Sequence, residues 1–346
     1  LGLYLAVQVV GLVNTGLTDD DDFYLPAGAS YAEWLGRVVT FDVSPFDRAA
    51  VDAAFEPNHE HPPVAKYALG IAGKVFGFLG PIDGPRVATA LWSTLCAAVL
   101  VWLAVGHLGR SRGLFVGGWA AAFLLLLPRF FFHSHVGTLD VPVTATYLLA
   151  AAVALFAEQK GRWVWLAGPA FGVAAATKLN GPFLLLPMLV FWLLTRRRPA
   201  PDPNAAQPHL RLPSLPTTFF SMVVLGPLVF FLLWPWLWFD TFERTKAYVE
   251  FHLNHYPIYL FYFGEVYERP FAPWHAPFAL TGLTVPAPVL VLALLGLGFG
   301  AAIAARRVLR RDGEDDPSRR EGDLLLFTIL HAAFTISVVA FSGAPK

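Results

Sequence analysis

Uninterrupted apolar runs set the limits on what this chain can fold into. Residues 87–106 and 281–305 carry no charged side chain. About 20 apolar residues in a helix cross the hydrocarbon core of a bilayer. Further runs at 1–18, 114–128, 141–157, 163–177, 179–195, 219–239 and 324–341 bring the expected spans to about nine. Several are shorter than a perpendicular helix requires, so neighbouring residues must extend them. The expected fold class is therefore all-α, a polytopic transmembrane helix bundle. Charged residues make up only 14% of the chain, against about 25% in a soluble domain. Net charge is zero, so no broad polyanion surface is implied and nucleic acid is not an expected partner. Cys96 is the sole cysteine and lies in an apolar run, which excludes an intramolecular disulfide. The chain starts without methionine and ends just past an apolar run, so a piece of a longer protein is expected, truncated at both ends.

Basic residues orient the bundle, because cytoplasmic loops are enriched in Lys and Arg. Loops 107–113, 158–162, 196–216 and 306–323 hold 14 of the 25 basic residues and 8 of the 25 acidic ones. These are the expected cytoplasmic loops, and 196–216, rich in Pro and Arg, reads as a solvated linker. The long stretches 18–86 and 236–279 then lie on the outer face. Within the first, residues 31–39 and 66–79 look amphipathic and are expected as short interfacial helices. The expected localisation is a multi-pass plasma (inner) membrane protein with its active site on the extracytoplasmic side.

Four separated stretches bring chemistry to that outer side. They are Asp19-Asp20-Asp21-Asp22, then 59–66 (His-Glu-His-Pro-Pro-Val-Ala-Lys), then Arg129 through His133, His135 and Asp140, then Thr177-Lys178-Leu179-Asn180. A fifth is the loop with His252, His255, Tyr256, Tyr259, Tyr262, Glu265 and Trp274. Charged groups at a membrane boundary are costly unless they serve a function. Basic groups there can hold phosphate, and a carboxylate can accept the proton of an attacking hydroxyl. An anionic, membrane-anchored substrate fits this set.

The motifs resemble those of GT-C glycosyltransferases, the class of the protein O-mannosyltransferases and lipid A aminoarabinose transferases. Asp20-Asp21-Asp22-Phe23-Tyr24 stands in place of the family's Asp-Glu-x-x-Tyr/Phe. The run from Glu60 to Lys66 resembles its His-Pro-Pro-Leu-x-Lys stretch. Arg129 through Asp140-Val141-Pro142 resembles its Arg…Asp-x-Pro element, and Thr177 to Gly181 its Thr-Lys-x-x-Gly turn. The resemblance implies a bundle with a large first outer loop, and sugar transfer from a polyprenyl-phosphate donor to an acceptor hydroxyl of a glycan, lipid or protein, usually with inversion. It implies Asp20 as general base, with Asp21, where the family has Glu, one register away. It implies Asp140 as a second acid that orients the acceptor or helps the base. Lys66, Arg129, Lys178 and His61 are implied at the donor phosphate, and membrane lipid as a partner. The expected domain is a single GT-C-type unit over 1–346.

Plainer readings apply to the same residues. The acid run can cap a helix in water, the prolines can simply stiffen a turn, and Asp140 can sit at a helix start for the dipole. Lys66 and Lys74 can snorkel, and Arg129 and Lys178 can anchor a membrane interface. The resemblance implies no cofactor. The pairs His133/His135, His59/His61 and His252/His255, together with the Asp run, keep a divalent ion open on ligand chemistry, although none has a strong zinc spacing. A transporter or flippase could use the same acids and Lys178 for coupling. Such groups belong near the bilayer midplane on broken helices, whereas here they lie at span ends.

Overall fold

The computed structural model describes residues 1–12, 15–159, 161–195, 216–254, 259–268, 273–309 and 317–341. A short helix α1 (Gly2–Leu12) leads to three helices in the stretch expected as the first outer loop: α2 (Asp19–Val39), α3 (Arg48–Phe55) and α4 (Val64–Val75). Then come α5 (Asp83–Leu108), α6 (Arg110–Leu126), α7 (Pro128–His133), α8 (Asp140–Gln159), α9 (Val164–Ala175), α10 (Leu185–Thr195) and α11 (Thr217–Leu233). The next segment holds α12 (Thr241–Leu253), strands β1 (Tyr259–Tyr262) and β2 (Glu265–Glu268), and α13 (Ala276–Thr284). The last two helices are α14 (Ala287–Leu309) and α15 (Pro317–Phe341).

The helical bundle matches the expected fold class. By length and composition, α5, α8, α14 and residues 319–340 of α15 can each cross a membrane. The remaining expected spans correspond to shorter helices such as α1, residues 181–195 and α11.

Three local expectations are refined. The acid run, expected at the exit of the first span, follows α1 and gains helical structure as the first turn of α2. The expected span 281–305 divides between α13 and α14, because Pro286 disfavours helix at Val285, which is extended. A two-stranded antiparallel hairpin interrupts the otherwise helical chain. Its turn residues Phe263 and Gly264 both have positive φ, as a type I′ turn needs. The expected linker 196–216, apart from Pro216, and His255 and Tyr256 lie outside the described residues.

Small residues let the helices approach closely, which is how spans gain packing where lipid is as apolar as their own side chains. A Cβ on Gly168 or Gly172 of α9 would run into backbone oxygens of α11. α2 crosses α4 where Gly28 meets Gly70, and a Cβ on Gly70 would lie 1.9 Å from the Gly28 carbonyl oxygen. Two buried clusters organise the rest. The larger centres on residues 150–156 of α8, packed by Phe171, Met188, Met222 and Phe327. The second joins Tyr31 and Trp34 of α2, Phe55 of α3, Trp234 and Tyr248. It fastens α2 and α3 to the segment with Trp234 and Tyr248, and Leu179 packs at its edge.

Candidate active site

The start of α2 separates four identical side chains. Successive helical residues point about 100° apart, so each aspartate meets its own surroundings. Asp19 and Asp22 are exposed, Asp20 is half-buried and Asp21 is buried.

Asp21 is saturated. Its Oδ2 accepts from the Thr18 backbone N–H at 2.9 Å and from the Thr18 hydroxyl at 2.8 Å, half of a capping box. Arg86 donates from Nε to Oδ1 at 3.1 Å and from NH2 to Oδ2 at 2.6 Å. The Gly137 backbone N–H donates to Oδ1 at 2.7 Å. Arg86 places two further donors on the Thr15 and Gly16 carbonyls, both at 2.8 Å, so four of its five N–H groups are bonded. Burial pushes the Asp21 carboxyl up, but Arg86, Gly137 and Thr18 outweigh it and hold the group below its ordinary value. No lone pair is left open for a substrate hydroxyl.

Asp20 meets a different set of groups. Its carboxylate meets the Thr138 hydroxyl and lies within electrostatic reach of Asp140, Lys178 and His133. Burial, with the Asp140 charge adding to it, raises its carboxyl above the ordinary value against the pull of Thr138, Lys178 and His133. Asp140 opens α8 and pairs with Lys178 at 2.5 Å, and it feels His133 and Arg129. Its backbone N–H donates to the Thr138 hydroxyl at 3.2 Å, so Thr138 sits between the two acids. Arg129 is exposed on α7. The Nδ1 of His133 is buried without a hydrogen-bond partner among the described residues. Asp20, Asp140, Arg129 and Lys178 thus come together from three of the separated stretches.

Lys66 does not join them. Its side chain is fully buried, and its ammonium donates to the Asn58 carbonyl, to Asn58 Oδ1 at 2.9 Å and to the His61 carbonyl at 2.7 Å. Three donors meet three acceptors, so none remains for a phosphate. Desolvation lowers the Lys66 amine well below its ordinary value, with Glu60 opposing. Tyr31 lies beneath it and donates its own hydroxyl to the Asn58 carbonyl. The prolines position this brace, and the Val64 N–H donates to the Ala176 carbonyl at 3.0 Å, docking the turn beside Lys178. His61 is half-buried, with ring contacts to Tyr24, Phe251 and His252 at 6.0, 5.5 and 5.4 Å. Tyr24 follows Asp20 by one helical turn on the same face, so His61 borders the cluster through that ring.

Among the described residues, no three His, Cys, Asp or Glu side chains converge as a metal-ligand set. His135 in particular turns away from His133. Its ring nitrogens face the Phe131 and Gln8 carbonyls at 2.6 and 2.8 Å. The sequence reading overlooked Arg86, Thr138 and Gly137. Only Arg86 left a signal, since an arginine at the head of an apolar span needs a partner.

Two findings from known proteins bear on this geometry. Residues 60–206 match the family model described as Dolichyl-phosphate-mannose-protein mannosyltransferase. That segment holds His61, Lys66, Arg86, Arg129, Asp140 and Lys178. The fold is similar to the crystal structure of ArnT from Cupriavidus metallidurans bound to undecaprenyl phosphate. The TM-score is 0.55 at 19% identity, over 96% of this chain and 58% of that one. This chain thus spans less than two thirds of that protein. No curated protein matches significantly. Fold and matched segment agree with the resemblance carried by the sequence motifs.

Proposed function

We propose, from a GT-C-type membrane fold carrying dolichyl-phosphate-mannose-protein mannosyltransferase-family sequence, that this chain transfers a sugar from a polyprenyl-phosphate donor to an acceptor hydroxyl. The observation that carries the reading is the Asp20 cluster. A half-buried carboxylate with a raised proton affinity lies beside an acid–lysine pair and an exposed arginine. The undecaprenyl phosphate bound to ArnT supports the donor class.

In this reading Asp20 is the general base. An alcohol is a weak nucleophile at neutral pH, and a carboxylate that takes its proton contributes about 10²–10⁴-fold. The acceptor oxygen bonds to C1 of the sugar as the C1–phosphate oxygen bond breaks. The proton goes to Asp20, and the electron pair of the broken bond leaves with the polyprenyl phosphate. Arg129 and Lys178 meet the charge that develops on that phosphate. Asp140 holds Lys178 and, across Thr138, keeps its own charge near the oxocarbenium-like centre. A single displacement by an external hydroxyl inverts C1. The cluster works on the extracytoplasmic side of the inner membrane, as the basic-loop pattern implies, and no step is assigned to a metal. His61 lines the edge of the site rather than holding the phosphate.

The test is transfer from polyprenyl-phosphate sugars by the full chain in membranes. Asp20→Asn is expected to lose about 10²–10⁴-fold in kcat while remaining folded. Full activity in that variant sinks the base assignment.

A further inference from the structure

Asp21 and Arg86 have no reacting role in this scheme, yet they are the most completely bonded charged pair on that face. Their neighbours explain why. Asp20 contacts Thr138 while Asp21 accepts from the N–H of Gly137. Two consecutive residues of α2 thus grip two consecutive residues of the loop before α8. Arg86 stands behind this grip at the head of α5 and also holds the 15–16 backbone that enters α2. A Cβ on Gly137 would lie 2.9 Å from Asp21 Oδ1 and 2.7 Å from Leu25 Cδ2, so both side chains would have to shift to admit it.

We propose that Arg86 is a positioning residue that acts through Asp21 and Gly137 to fix the loop 137–140 against α2, and so sets how Asp20 faces Asp140. The inference rests on the reading of Asp20 as base. It goes beyond that reading by assigning a role to a residue that never meets substrate. Asp21, adjacent to the base and of the same chemical type, is by this account part of the frame. Its charge is spent on the guanidinium, so it neither competes for the acceptor proton nor crowds Asp20 with an unbalanced charge.

The experiment compares Arg86→Met, Arg86→Met/Asp21→Asn and Gly137→Ala in the full chain. It measures kcat, donor KM and amide hydrogen exchange of the 137–140 peptide, with Asp20→Asn run alongside. Arg86→Met is expected to lower kcat about 100-fold, the scale of a misplacement of about 1 Å, with donor KM changed less than threefold. Exchange at 137–140 should rise at least tenfold while α8 keeps its protection. Adding Asp21→Asn should recover about tenfold in kcat, because it removes the stranded buried charge. Gly137→Ala keeps every charge and should lower kcat in the same direction even if Arg86→Met fails to accumulate. Unchanged exchange at 137–140 overturns the proposal, as does an unchanged kcat in Arg86→Met and Gly137→Ala. If Asp20→Asn stays active while exchange at 137–140 rises in Arg86→Met, the latch stands and the base assignment alone falls.

Discussion

Two acid–base pairs stand side by side in this molecule, and burial separates their duties. In Arg86–Asp21 both side chains are 0% exposed, while in Lys178–Asp140 they are 29% and 53% exposed. The first pair uses nearly every donor and acceptor it has on neighbours. Among the described residues, the second is joined by one hydrogen bond and leaves the rest of its hydrogen-bonding capacity to solvent or substrate. A charge taken fully out of water must be saturated at once. A charge left half in water keeps free valence, and that is where substrate can enter. Asp20 lies next to both pairs, one residue from the sealed acid and across Thr138 from the open one.

That contrast can be broken most directly in stability. Arg86→Met should cost about 3–5 kcal/mol, the usual penalty for stranding one member of a buried pair. Lys178→Met should cost less than about 1 kcal/mol, as for an exposed pair. Thermal unfolding of the two variants in one detergent reads the difference. Equal losses would mean that exposure does not divide the pairs.

Lys66 extends the comparison to a sealed cation without a carboxylate partner. Lys66→Met should lower stability by about 1–3 kcal/mol, because Asn58 and His61 lose their donor, and activity should fall only with the folded fraction. A large rise in donor KM with the fold intact would restore Lys66 to the phosphate.

The open pair makes the smallest prediction, a shift read from a pH profile. In the proposed mechanism Asp20 must be ionised to act, so the rate should rise with pH through its raised pKa. Lys178 pulls that pKa down, so Lys178→Met should move the acid limb of kcat/KM to higher pH. Part of the lost rate should return at the alkaline end. A limb that stays in place would detach Lys178 from Asp20.

Much of this was legible in the sequence. The apolar runs are long and uncharged, so the helical bundle followed from hydropathy. The gathering of Asp20, Arg129, Asp140 and Lys178 followed from the order of the motifs. The register of the acid run did not. Four identical residues in a helix face four directions, and only the position of Arg86, distant in sequence, decides which one is sealed. Lys66 was misplaced for a related reason. A lysine next to His-Pro-Pro looks available until its three acceptors, two of them backbone carbonyls, are seen. The hairpin escaped because four-residue strands leave too short a pattern to read among so many aromatic residues.

The glycine contact between α2 and α4 has a mechanical consequence. Asp20 lies eight residues before Gly28, a lever of about 12 Å along the helix axis. The Gly28–Gly70 crossing has no room for a side chain, so it serves as a fulcrum. A tilt of only about 5° there would swing the carboxylate by about 1 Å, enough to cost about 100-fold in rate. In the proposed mechanism, two residues without side chains thus help hold the angle at which α2 presents Asp20.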